Sequence, residues 1–327
     1  MSFRRFIFKR IMFLIPTFIG VTAAIFIVMN VVGNPIAILL QRGHSAYGGY
    51  LYPEQFERMK QLYGLDKPVW ERYFIWLFNI LHGEFGFSFF QGRDVLGIIL
   101  DYLPFTLELQ VLALIETLMI AIPMGVYAAL NQYSKVDFGF LFLVLLGASL
   151  PFFWFALLLL ILFSGYLGWL PSFGAFSLDN YLFGNVVLDH LWHLILPVNV
   201  MCFVSLAYVM RVIRENMLEI IKEDYIIALK ALGLKNRVII FKHALRAAIL
   251  PIVAQLGPIL GSLVIGSSVV ETIFGWPGIG FLFVKSLLNM DFPVSMGIIV
   301  IYSIIVLAGN LISDVLHAII DRRVTLE

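Results

Sequence analysis

The chain has 327 residues, 61% of them hydrophobic and 13% charged, with a net charge of +1. Soluble domains average about 45–50% apolar and about 25% charged residues, so this chain is solvated mainly by lipid, and its balanced charge gives no bulk attraction to nucleic acid. A single cysteine, Cys202, excludes an intramolecular disulfide and, by count, a cysteine zinc or redox motif.

A helix crossing a bilayer needs about 20 consecutive apolar residues, because its backbone groups must be paired within the segment. Six stretches qualify: Ile11 to Val32, Pro104 to Leu130, Phe138 to Phe163, Leu191 to Met210, Ala247 to Val270 and Phe292 to Ser313. The first is too long for a signal peptide and lacks its small-residue cleavage pattern, so it is expected to remain as a span. The expected fold is all-α: a polytopic membrane protein with six transmembrane helices. Residues 1–32 hold the N-terminus and first span, 33–103 form an extracytoplasmic helical insert, and 104–327 form a five-helix core. Fifteen of the 22 basic residues lie before span one, between spans two and three, between spans four and five, or after span six. The positive-inside rule then places both termini in the cytoplasm.

The insert is too long for a structureless loop in a compact protein. Pro53 starts a polar helix that Gly64 can end. A second helix follows with Trp70, Tyr73, Phe74, Trp76 and Leu77, whose aromatic face suits the membrane interface. Gly83 and Gly86 break it, and Val95, Leu96, Ile98 and Ile99 form a short amphipathic approach to span two. The insert is expected to be a helical cap on the outer face; the alternative is an interfacial belt without a partner.

Span two carries Glu108 and Glu116. A mid-bilayer carboxylate costs about 2.5–3.5 kcal/mol on insertion scales, which makes Glu116 a candidate either for meeting a cationic group in transit or for bonding a neighbouring helix. Glu108 lies nearer the outer end, within reach of the interface. Asp189, His190 and His193 have metal-like spacing at the start of span four, but a zinc site wants a fuller ligand set, and no metal is expected.

The cytoplasmic segment 211–246 contains a helix that Asp224 can cap, holding Tyr225, Ala228, Leu229, Ala231 and Leu232 at helical spacing. Ala228 and Ala231 are small enough to let another surface approach. Gly233 is placed to end the helix in the left-handed conformation. A second, basic helix carries Lys235, Arg237, Lys242, His243 and Arg246. A small-faced helix between two spans is what a soluble motor needs as a handle; the alternative is an ordinary basic loop obeying the positive-inside rule.

Pro251, Gly257, Pro258, Gly261 and Gly266 suggest a bent fifth span with a Gly257/Gly261 packing pair. Beyond it, Phe274-Gly275-Trp276-Pro277-Gly278 places proline and glycine near membrane depth, which is tolerated only where backbone lines a cavity or is buried in protein. Glu271, Phe274, Trp276 and Pro277 are therefore candidates for an outer gate or pathway; the alternative is a rigid turn anchored by Trp276 in the interface. No Gly-Lys pair exists for a Walker A phosphate loop, and neither a Gly-x-Ser-x-Gly elbow nor a His-Glu-x-x-His helix occurs. ATP chemistry is not expected of this chain.

The run Asp224-Tyr225-Ile226-Ile227-Ala228-Leu229-Lys230-Ala231-Leu232-Gly233-Leu234, with His243-Ala244-Leu245-Arg246 and Pro251, resembles the cytoplasmic signature of the dipeptide/oligopeptide/nickel permeases of ABC importers. Tyr63-Gly64-Leu65-Asp66-Lys67-Pro68, Trp169-Leu170-Pro171, His193-Leu194-Ile195-Leu196-Pro197, Arg211 with Arg214, and Glu271-Thr272-Ile273-Phe274-Gly275-Trp276-Pro277-Gly278 extend the resemblance over nearly the whole chain. It implies a type I ABC importer permease in a prokaryotic cell (inner) membrane. The implied partners are a second homologous permease, two ABC ATPase subunits carrying ATP and Mg, and an extracytoplasmic substrate-binding protein. No cofactor is implied for this chain, and the implied cargo is a di- or oligopeptide, with nickel or sugars as alternatives. Asp224, Tyr225, Ala228, Leu229, Ala231, Gly233, Leu234, His243 and Arg246 would couple to the ATPases. Against the wider superfamily pattern, Ile227 stands where glutamate is usual, Leu229 where alanine is, and Arg246 where proline is often found. A rival is an ion-coupled secondary transporter using Glu116, which predicts internal repeats; none is visible. An intramembrane enzyme would need paired catalytic groups at one depth, and Glu116 stands alone.

Overall fold

Apolar runs in lipid become helices because only internal hydrogen bonds can satisfy their backbone. The computed structural model describes residues 3–33, 67–88, 90–177, 181–254 and 267–320. Among these, helix dominates and the only strand-like pairing is an isolated bridge between Phe87 and Asp94. In chain order the helices are α1 (Phe3–Gly33), α2 (Val69–Leu81), α3 (Val95–Leu130), α4 (Lys135–Ser149) and α5 (Phe152–Leu159, prolonged by a π turn Leu160–Tyr166). Then come α6 (Val186–Ile220), α7 (Asp224–Ala231), and α8 (Asn236–Val238, a π turn Ile239–Ala244, then Leu245–Ala248). The chain continues with α9 (Leu250–Ala254), α10 (Ser268–Ile273), α11 (Ile279–Leu288) and α12 (Phe292–Ile320).

Among the described residues, four helices are long and apolar enough to cross a membrane: Phe8–Asn30 within α1, α3, α6, and Phe292–Ile312 within α12. The expected third span is broken. Its two halves meet at 101° around Leu150-Pro151, and counted together they make a fifth crossing. Leu150 is extended (φ −84°, ψ 130°) because the following proline ring disfavours helix at the preceding residue. Much of the expected fifth span, with its Gly257/Gly261 pair, lies outside the described residues, as do the polar helix at 53–64 and residues 321–327.

Two further boundaries differ from expectation. The stretch from Val95 to Ile99 is the first turn of α3 itself, capped by Asp94, whose carboxylate accepts from the Gly97 N–H at 2.8 Å. Helix α6 does not end at Met210 but runs on to Ile220.

The most extensive helix pairing joins α3 and α6. A Cβ added at Gly125 would lie 2.8 Å from Ile213 Cβ, so glycine is what permits this approach. Towards one end of the pair, Ala121, Val126 and Ala129 pack with Met210, Ile213 and Met217, and the same core takes in Ile226 of α7 and Ile239 of α8. Towards the other end, Leu109 and Ala113 pack with Leu194, Phe274 and Trp276. Val95 and Ile98 meet Ile279, Leu282 and Val294 of α11 and α12. Helix α1 lies on α12, and α2 is fixed to α1 by Tyr73, whose hydroxyl is 3.0 Å from Thr22 Oγ1. Trp70, Phe74 and Phe78 of α2 stay exposed.

Candidate functional site

Helix α7 is built as a surface with a buried root. Glu223 holds the N-cap position but makes no side-chain cap bond, and Asp224 is the first helical residue. Asp224 is thus not the cap; its carboxylate lies in the first turn, where the helix dipole favours it. Ile226 is fully buried in the α3–α6 core, with Leu229 half-buried beside it. Tyr225, Ala228, Ala231 and Leu232 face outward, Leu232 at 75% exposure. Gly233 has φ +77°. Its N–H donates to the Lys230 carbonyl at 3.0 Å, and the Leu234 N–H reaches back to the Leu229 carbonyl at 3.3 Å. These two bonds form the Schellman termination that glycine at this position allows. In α8, Ile239 and Ala244 are buried, His243 is half-buried, and Phe241 and Arg246 are exposed. Of the nine residues in the signature, Asp224, Tyr225, Ala228, Ala231, Gly233 and Arg246 lie on the surface, while Leu229, Leu234 and His243 are partly buried. Exposed apolar side chains interleaved with Lys230, Lys235 and Arg237 suit a protein partner. Phe241 joins this surface and was not picked out by the signature.

The turn between α3 and α4 is locked to α6. Arg214 Nε and one terminal nitrogen donate to both Asp137 oxygens at 2.7 and 2.8 Å, with Asp137 almost fully buried. Asp137 also accepts from the Tyr133 N–H at 3.0 Å, and its own N–H donates to Ser134 Oγ at 3.2 Å. Sequence reasoning missed Asp137; its signal was the spacing Ser134-x-x-Asp137 opening an apolar run.

The Phe274–Gly278 segment is a hairpin between α10 and α11, sealed by a hydrogen-bond network. The Thr106 hydroxyl donates to Glu271 Oε1 at 3.1 Å and accepts from the Ile279 N–H at 2.7 Å. Glu271 Oε2 accepts from the Phe281 N–H at 2.9 Å, at the first turn of α11. Burial pushes the Glu271 carboxyl up to about 7, against the opposing pull of its bonds to Phe281, Thr106 and Gly280. Trp276 has 0% exposure, and its indole N–H donates to the Phe105 carbonyl at 2.9 Å. It is therefore no interfacial anchor, because its ring is enclosed by protein. Gly275 has φ +59°, and a Cβ there would collide with the Phe173 ring. Phe274 is buried and Pro277 half-buried. Thr106 and Phe173 carry no local signature that would have marked them as partners of this segment.

The isolated polar residues sort differently. Glu116 is half-buried on α3, and among the described residues no hydrogen bond or ion pair reaches its carboxylate. Glu108 does not simply reach the interface: its Oε2 is 2.8 Å from His190 Nε2. Asp189 accepts from the Ser177 N–H and hydroxyl, both at 2.7 Å, and His193 Nδ1 bonds the Asp189 carbonyl at 2.8 Å. His193 Nδ1 also lies 3.8 Å from the Asp189 carboxylate, while His190 turns to Glu108, and among the described residues no three metal-ligating side chains converge.

Residues 121–326 match the family model of the binding-protein-dependent transport system inner membrane component, and residues 3–110 match the N-terminal model of the same membrane component. The chain is 39% identical to the oligopeptide transport system permease protein AppB of Bacillus subtilis, over 98% of each chain. It is 34% identical to the dipeptide transport system permease protein DppB of Escherichia coli K12, over 98% of each. It is also 34% identical to the oligopeptide transport system permease protein OppB of Haemophilus influenzae, over 98% of this chain and 99% of the relative. A family model covering well over half the chain, and relatives aligned end to end, place it plainly: this chain belongs to the binding-protein-dependent transport system inner membrane components.

Proposed function

We propose that the chain is a permease subunit of an ATP-driven ABC importer of di- or oligopeptides, with six spans and both termini in the cytoplasm. It pairs with a second homologous permease, and two ABC ATPase subunits supply ATP and Mg chemistry that this chain lacks. A substrate-binding protein delivers cargo to the opposite face. In this orientation α7 and α8 lie in the cytoplasm and the Phe274–Gly278 hairpin at the outer end. The observation that carries the proposal is the exposed apolar face of α7, rooted through Ile226 in the core shared by α3 and α6. A partner that moves α7 therefore moves the long helices with it. ATP binding supplies the differential affinity that shifts the inward-open and outward-open populations. Glu116 lines the pathway in this proposal: an unpaired carboxylate facing lipid is costly, and an aqueous route past α3 relieves that cost and suits a cationic group on the cargo.

The test is peptide uptake by the full complex in proteoliposomes with Gly233→Leu. A bulky side chain at φ +77° spoils the end of α7 without touching the core. The expected result is an assembled complex that still hydrolyses ATP but no longer imports. Undiminished uptake, or uptake that needs no ATPase subunit, overturns the proposal.

A further inference from the structure

We infer that His190 and Glu108 hold one proton between them, and that this shared proton ties the hairpin end of the bundle shut. His190 lies in the second turn of α6, and both its ring nitrogens are committed. Nδ1 is 3.0 Å from the Ala175 carbonyl, which can only accept, so Nδ1 carries a hydrogen. Nε2 is 2.8 Å from Glu108 Oε2, a distance that requires a hydrogen between the two atoms. Two arrangements satisfy this: an imidazolium against a carboxylate, or a neutral imidazole against a carboxylic acid. Each places one proton in the contact. Remove that proton and two acceptors face each other.

The ring sits where four segments meet. It stacks on Phe176 with centroids 4.7 Å apart, lies 5.2 Å from Trp276, and meets Phe105 edge-on at 6.3 Å. Trp276 is bonded to the Phe105 carbonyl, and the Gly174 N–H donates to the Phe274 carbonyl at 2.8 Å. His190 therefore joins α3, the 173–177 segment, α6 and the hairpin. Its side chain is 15% exposed and that of Glu108 35%, so protons from solvent can reach the contact. Three other titratable groups face this region. Asp189 is turned to Ser177 and Leu182. His193 bonds the Asp189 carbonyl, and Glu271 lies in the hairpin network with Thr106 and Phe281. Glu108, not one of these three, is the group that bonds the His190 ring. His190 is thus a positioning residue for the outer gate, and the inference rests on assigning the hairpin to the outer end.

The test uses the full complex without ATP, carrying Ala175→Cys in a Cys202→Ser background. Ala175 is buried at the tie, so a thiol there is reached only when the segment opens. Labelling by a water-soluble thiol reagent is compared at about pH 6 and about pH 8.5, on either side of the imidazole range. The reference at each pH is the same protein with Glu108→Gln, whose amide N–H bonds a neutral Nε2 and makes the tie independent of the shared proton. This reference cancels thiol ionisation and retains Glu271, Asp189 and His193. At the lower pH the two proteins should label alike. At the higher pH the protein with Glu108 should label about tenfold faster or more, as loss of a charge-assisted bond opens the segment. His190→Phe, which keeps the ring and drops both polar bonds, should label fast at both. Equal labelling of Glu108 and Gln proteins at both pH values, or slow labelling of His190→Phe, overturns the inference. ATP-driven uptake is measured separately, so failure of the tie and failure of the importer assignment are distinct results.

Discussion

Thr106 shows how much one side chain settles here. Its hydroxyl is donor to Glu271 and acceptor from Ile279 at once. Thr106→Val keeps the shape and strands both partners in a buried site, at about 2–4 kcal/mol, read as a lower unfolding temperature of the purified protein. Glu271 adds a pH dependence. Its folded pKa, about 7, lies above its ordinary value of 4.5, so the fold gains most below about pH 4.5 and loses that gain as pH rises through about 7. The loss is on the order of 3 kcal/mol. Thermal unfolding followed from pH 5 to 8 should show this decline, and Glu271→Gln should flatten it. Glu271, Trp276 and Pro277 were legible in the sequence because proline and glycine near a membrane demand a reason. That Thr106 and Phe173 close on this segment was not legible, since a contact such as Thr106 to Glu271, 165 residues apart in sequence, leaves no local pattern. His190 and Glu108 were each visible alone; nothing in their spacing says that they meet.

At the scale of elements, α7 separates holding from docking. Ile226→Ala removes a fully buried side chain and should cost about 2–4 kcal/mol. Tyr225→Ala removes a surface one and should leave stability within about 0.5 kcal/mol while reducing ATP-coupled uptake. The reverse pattern, measured by unfolding and uptake on both variants, would mean that α7 is seated the other way round. The existence of this helix, and its stop at Gly233, could be read from residue spacing. The break between α4 and α5 was missed because hydropathy counts Pro151 as one residue in an apolar run, whereas its ring acts on the backbone of Leu150. Helix α6 was cut short in expectation at Arg211. Arg214 is accommodated beyond that point by Asp137, a partner on another helix, so the charge does not end the helix.

For the whole molecule, the apolar runs alone foretold a helical membrane bundle, and among the described residues four long helices and one bent pair match five of the six runs. What they could not foretell is how the bundle is cross-braced. The Asp137–Arg214 pair is the clearest brace, tying the α3–α4 turn to α6. Asp137→Asn leaves the guanidinium half-paired at a mostly buried site and should cost about 3 kcal/mol. Combining it with Arg214→Gln should recover part of that loss, as a double-mutant unfolding cycle would register. The brace, the Gly125–Ile213 contact and the root of α7 all gather near the same end of α3. That crowding has a geometric consequence. At 1.5 Å per residue, α3 extends about 45 Å from Gly125 to its start at Val95, but only about 8 Å to its end at Leu130. Gly125 thus divides α3 into arms that differ about sixfold in length, with the short arm lying beside the root of α7.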